Sequence, residues 1–148
     1  MKKKIIEKCL EMVREKAAHL KKNIDLAVEA SQDDTKSSAG DKYETTRAMM
    51  QIEIDNHRKR LIETQTLERK LLAIDIHTQP TKIAMGALVF TNRGNFFMSI
   101  ALGKLQLSNE EAFFVISPDS PIGKQLIGKM KNDSFIFNQQ SYQIQEIL

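Results

Sequence analysis

Apolar residues recur at steps of four and three near the start of the chain, at Ile6, Leu10, Val13, Ala17, Leu20, Ile24 and Ala27. That spacing is the seam of a left-handed coiled coil and predicts one helix from about Lys3 to Ala30. A second stripe, Met50, Ile54, Leu61, Leu67, Leu71 and Ile74, predicts a return helix ending near Ala73. His57 and Thr64 fall on this stripe and one spacing is short, so the packing is expected to loosen locally. Lys2, Lys3 and Lys4 sit at the positive end of the first helix dipole, where the opening turn should fray. Between the two stripes lies SQDDTKSSAGDKYETTR, Ser31 to Arg47, polar and acidic. Its first ten residues have the composition of a loop, and Asp41 with Glu44 three residues on reads as a capping box for the second helix. Two helices of opposite direction and a short connection make an antiparallel hairpin. Its tip lies roughly 40 Å from the far end of an arm of about 28 residues. Burial there contributes nothing to folding, so the chemistry of the tip is the first place to look for function.

From Ile83 the pattern changes to short apolar runs with turn punctuation, as expected of a small antiparallel sheet. Residues 83–90 and 95–102 flank Thr91-Asn92-Arg93-Gly94, a hairpin turn, and the run over 111–116 reads as a strand buried by its aromatic pair. Ser120 and Pro121 open a short helix that Gly128 ends. Residues 134–138 and 141–147 read as a closing hairpin joined around Asn138 to Gln140. The expected fold class is α+β, a helical hairpin at 1–76 and a sheet of four to six strands with one helix at 77–148, with His77 to Pro80 as the hinge.

Composition sharpens the division. All three prolines, five of the six glycines and all seven phenylalanines follow Asp75. The formal net charge of +3 comes from 22 Lys and Arg against 19 Asp and Glu, mixed along the arms. That balance excludes duplex coating by bulk charge and sequence-specific DNA binding is not expected; a protein partner fits better. The one cysteine, Cys9, forms no internal disulfide, and no Cys/His cluster has zinc spacing, which fits a reducing compartment. Glu7, Lys8, Glu11 and Arg14 interrupt any signal-like apolar core, and no run reaches membrane-spanning length. A soluble, cytoplasmic protein with no membrane contact is expected.

Ser117-Pro118-Asp119-Ser120-Pro121-Ile122-Gly123-Lys124, followed by Leu126-Ile127-Gly128-Lys129, resembles the C-terminal signature of bacterial Gre transcript-cleavage factors, the family of GreA and GreB. Those factors also end in strands like SYQIQEI. The resemblance covers nearly the whole chain and implies an N-terminal antiparallel coiled coil followed by an FKBP-like domain. It implies an elongation factor that binds RNA polymerase, inserts the coiled coil in the secondary channel and stimulates cleavage of backtracked RNA. On that reading the protein is an accessory factor and not itself an enzyme. It has no cofactor of its own, holds no metal when free, shares magnesium with the polymerase and touches nascent RNA only indirectly. Carboxylate oxygens suit magnesium, and a two-metal site stabilises both the attacking and the leaving oxygen. The polymerase-binding residues implied are Ser120, Pro121, Ile122, Gly123, Lys124, Gly128 and Lys129.

The family's tip motif is Gly-Asp-x-x-Glu-Asn, followed by a Tyr and an Arg. Gly40-Asp41-Lys42-Tyr43-Glu44 matches its first five positions and makes Asp41 and Glu44 the acidic pair. Aligning Tyr43 and Arg47 on the family's Tyr-x-x-x-Arg instead puts Lys36 and Ala39 at the acidic positions and leaves Asp33 and Asp34 as the nearby substitutes. The Asn is absent in either register. Two rivals follow: a Gre-like factor that occupies the channel without promoting cleavage, and a scaffold or free hydrolase unrelated to polymerase. His57 reads as a polar register residue of the seam, and Lys124, Lys129 and Lys131 as either a basic patch or ordinary surface.

Overall fold

The computed structural model describes residues 1–34, 41–108 and 111–148, with the side chains of 33, 34 and 41–43 outside that description. The class is α+β, in the element order two long helices, four strands, a short helix and two strands. Compact packing divides the chain into one unit of Leu10–Arg69 and another of Met1–Cys9 with Lys70–Leu148.

The first unit is built from α1 (Lys2–Asp34) and α2 (Asp41–Leu72), both of which run beyond it. Leu10, Val13, Ala17 and Leu20 are buried on α1, and Ile54 and Thr64 on α2, which are the seam positions read from the sequence. Arg14 Nε donates to Glu68 Oε1 at 2.6 Å across the pair. Both groups are partly exposed, so this contact fixes register more than it adds stability. Thr64 is buried in the seam with its hydroxyl satisfied, donating to the Arg60 carbonyl at 2.8 Å. His57 behaves differently. Its Nε2 lies 3.6 Å from Glu53 Oε1, while Nδ1 is buried with no partner among the described residues. Toward the tip Ile24, Ala27 and Met50 are only half-buried.

α1 continues through Ser31, Gln32, Asp33 and Asp34, four residues that the sequence assigns to the loop. None is Gly or Pro, so nothing in the backbone stops the helix there. The rest of the expected loop, 35–40, lies outside the described residues.

In the second unit a six-stranded sheet has the order β3-β4-β2-β1-β6-β5, from β1 (Leu88–Thr91), β2 (Gly94–Met98), β3 (Gly103–Gln106), β4 (Ala112–Ile116), β5 (Ser134–Phe137) and β6 (Gln140–Ile147). It is mostly antiparallel, with one correction to the expected all-antiparallel pattern: β2 and β4 are parallel, Asn95 opposite Phe113. The two expected long strands are shorter. Gly86 adopts φ +87° and ends the 83–90 run as a strand before Leu88, and the 95–102 run leaves the sheet after Met98. β3 is an edge strand that sequence pattern did not reveal, since only Leu105 of its four residues is buried. The β5–β6 hairpin turns through Asn138 and Gln139 at φ 50° and 63°, the left-handed pair of a two-residue turn.

Both faces of the sheet carry buried side chains. Val89, Phe96, Met98, Phe135 and Ile144 pack with Leu126 of α3 (Pro121–Leu126). Leu88, Phe97, Phe113 and Val115 alternate with them, point the other way and are equally covered. Ile5, Cys9 and Leu71, from the helix ends that belong to this unit, are fully buried, and Ile74 Cγ2 would lie 2.8 Å from a Cβ built on Gly86. The opening turn of α1 is held where fraying is expected from charge alone. Lys2 Nζ donates to the Thr78 carbonyl at 2.6 Å, while His77 N and Thr78 Oγ1 donate to the Asp75 carboxylate at 2.9 and 3.0 Å. Those two donors hold the Asp75 carboxyl below its usual range, the backbone N–H contributing most. Among the described residues no helix is long and apolar enough to cross a membrane.

Candidate functional site

Two groups of residues carry the functional reading, the tip and α3. At the tip the backbone puts Asp33 and Asp34 in the last turn of α1 and Asp41 at the first position of α2. Their side chains lie outside the described residues, as does all of Gly40. Glu44 is described and exposed. Three residues apart in one helical turn, positions 41 and 44 share a face of α2, the spacing at which two carboxylates can share a cation. Asp33 and Asp34 occupy the negative end of a helix with no basic residue in its last turn. The sequence therefore concentrates negative charge where the α1 dipole is also negative, an arrangement that favours a cation over an anion.

α3 is built residue by residue from the SPDSPIG run. Ser120 Oγ accepts from Gly123 N at 3.1 Å and donates to the Ser117 carbonyl at 2.7 Å, so one hydroxyl caps the helix and ties it to the preceding turn. Pro121 fills the first helical position, where no N–H is needed. Gly123 is required by space: a Cβ there would meet the Ser117 carbonyl oxygen at 2.0 Å. Gly128 is required by conformation, at φ +79° with open space around it, and its N–H donates to the Ile83 carbonyl at 2.8 Å. Ile122 packs against the core cluster. Of the seven residues implied for polymerase binding, Ser120, Ile122, Gly123 and Gly128 thus have work inside the fold. Pro121 and Lys124 are exposed, and Lys129 Nζ lies 5.9 Å from the centroid of the Phe135 ring. Ile127, exposed between the two glycines, belongs with them as an available apolar contact.

Sequence reasoning missed one feature of the same unit. It treats Phe113 and Phe114 as a buried pair, but successive strand residues face opposite ways: Phe113 is fully buried and Phe114 is 40 % exposed. Lys104 of the unforeseen β3 stands directly opposite Phe114. The alternation was available as a signal, whereas the β3 partner was not. Elsewhere, among the described residues, no three His, Cys, Asp or Glu side chains converge as a metal site would require.

No protein-family model matches the chain, and no curated protein matches it. Among solved structures, one described as the structure of the transcription factor Gfh1 is similar at 16 % identity over 93 % of this chain and 92 % of that chain, with a TM-score of 0.39, a value too low to carry weight for fold or function.

Proposed function

We propose that the protein is a Gre-like regulator of transcription elongation that acts through RNA polymerase. The hairpin would enter the secondary channel while the sheet unit docks outside it. The observation that carries this reading is the coincidence, in one chain, of a helical hairpin with acidic ends and a following sheet unit whose α3 is formed by the Gre-like SPDSPIG run. Either feature alone is common. On this reading Asp41 and Glu44 would help hold a magnesium ion beside the polymerase's own metal, supplying hard oxygen ligands to an ion that polarises water. The protein's part is to bring that charge in and hold it in register, and the polymerase performs the cleavage.

The second reading, a channel-occupying factor without cleavage activity, is favoured by one observation: Thr45 stands where the family motif has Asn. A transcript-cleavage assay on stalled elongation complexes separates the two. Cleavage stimulated by the parent protein, abolished by Asp41→Asn and by Glu44→Gln with polymerase affinity intact, supports the first, because an amide keeps the shape and removes the charge. Tight binding without cleavage supports the second. Asn caps a helix about as well as Asp, so full cleavage by Asp41→Asn would leave Asp41 a capping residue only. Failure to retain polymerase in a pull-down would overturn both.

A further inference from the structure

One end of the sheet face under α3, at β3 and β4, carries chemistry that neither the tip nor α3 explains. Phe114 on β4, Phe96 on β2, Tyr142 on β6 and Phe135 on β5 form a row of rings, with centroids 5.8, 6.3 and 5.0 Å apart in turn. Phe96 and Phe135 are buried in the core shared with Leu126 of α3, Tyr142 packs half-buried against it, and Phe114 stands 40 % exposed at one end. The exposed ring leans over Gly94, where a Cβ would lie 3.7 Å from it, so no side chain from that position obstructs the ring. An exposed phenylalanine in the middle of a strand loses hydrophobic stabilisation unless something covers it.

Cations stand along the row, and a carboxylate close to its Lys129 end, that of Asp133, accepts from the Met130 N–H. Lys104 is the cross-strand partner of Phe114 and therefore shares its face. Lys129 lies against Phe135 at the other end. Arg93, in the β1–β2 turn, donates from Nε to the Ser141 carbonyl at 2.8 Å, beside Tyr142. Among the described residues no strand position of this face carries a carboxylate. Glu146, the one acidic residue within a strand, pairs with Phe90, whose ring packs edge-on against Phe113 on the opposite side. Gln106 and Gln140 lie two residues from Lys104 and Tyr142, on the same face, and are exposed, offering amides at its two edges.

We propose that the exposed Phe114 end of this face binds single-stranded RNA, with Phe114 as a platform on which a base stacks and Lys104 as the partner of the adjoining phosphate. A flat exposed ring flanked by cations suits a ligand that presents π-faces and negative charge together, and sheet faces with outcropping aromatics read unpaired bases in this way. An acidic protein segment satisfies the lysines but not the ring, and a duplex hides its base faces. The Gln106 amide, on the same strand face as Lys104, can pair with a 2′-hydroxyl, which favours RNA over DNA. The proposal stands apart from polymerase docking, since Phe114 and Lys104 belong to neither the tip nor α3.

The test is fluorescence anisotropy of a fluorescein-labelled ten-nucleotide oligouridine with the full chain, over a range of salt. The parent should bind, and more tightly than it binds the matching oligothymidine. Phe114→Leu, which keeps apolar bulk without an aromatic face, should weaken binding on the order of 10-fold with no loss of melting temperature, and Phe114→Tyr should retain it. Lys104→Gln should lower the slope of log affinity against log salt by about 0.7, the share of one phosphate contact on a single strand. No measurable binding, parent-like binding by Phe114→Leu, equal affinity for the DNA strand, or displacement of the RNA by an equal charge of polyglutamate would each overturn the assignment.

Discussion

Gly123→Ala tests whether the SPDSPIG run is first a piece of architecture. The backbone at Gly123 is not in the left-handed region, so conformation would allow alanine, and the obstacle is space alone. The new methyl would stand 2.0 Å from the Ser117 carbonyl oxygen and 2.7 Å from Ser120 Oγ. The serine could rotate, but the carbonyl is backbone. To clear it the first turn of α3 must move by an ångström or more, breaking the bonds from Ser120 Oγ to Ser117 and from Gly123 N to Ser120. Overpacking of this kind costs about 1–3 kcal/mol and a lost serine cap about 1 kcal/mol, together about 2–4 kcal/mol. For a unit in the 60–100-residue class that lowers the melting temperature by roughly 10–25 °C. Gly128→Ala is the control. It meets no atom within 4 Å but must adopt φ +79°, which costs about 1 kcal/mol and roughly 5 °C. Thermal unfolding of the full chain, followed by near-ultraviolet circular dichroism of the aromatic sheet unit, reads both. Should Gly123→Ala melt within about 2 °C of the parent, or no lower than Gly128→Ala, the steric reasoning is refuted. Lost polymerase affinity in a destabilised Gly123→Ala would then mean loss of α3 and not of a direct contact.

Leu20→Asp places a carboxylate in the buried seam and should cost several kcal/mol, with lost helical content in far-ultraviolet circular dichroism as the readout. His57→Leu should raise the stability of the hairpin by about 1 kcal/mol in denaturant titration, because it removes the unpartnered buried Nδ1 and supplies an apolar seam residue. Cys9 is buried, which pushes its thiol up to about 11, so at pH 8 the native protein should react with a maleimide far more slowly than the denatured chain. Because the folded thiol titrates above the unfolded one, this residue's contribution is full below the unfolded value near 9 and is lost as pH rises through 9 to 11. Cys9→Ser should flatten that alkaline decline.

The helical seam was legible because burial in a two-helix pair depends on a local period: Val13, Ala17, Leu20 and Ile54 could be named from spacing, and Thr64 and His57 with them. Asp41 as a helix start and the Ser120-to-Gly128 helix were legible for a related reason, since caps, proline and glycine act within one turn of the chain. The α1 end was misplaced because polar residues do not stop a helix that contains no Gly or Pro. Which strands pair, and how, was settled only by contacts distant in sequence. Nothing local distinguishes the parallel β2–β4 pair from an antiparallel one, and β3 shows one apolar residue in four. Thr64 was legible in position but not in consequence, because its bond to Arg60 lets a polar residue sit in an apolar seam. The same holds for Phe114, which period two turns outward and which only the β3 pairing sets beside Lys104. The inclusion of Ile5, Cys9 and Leu71 as fully buried residues of the sheet's own unit lay furthest beyond the sequence, because hydrophobic attraction has no direction and residues at both ends of the helical segment are equally able to join that unit.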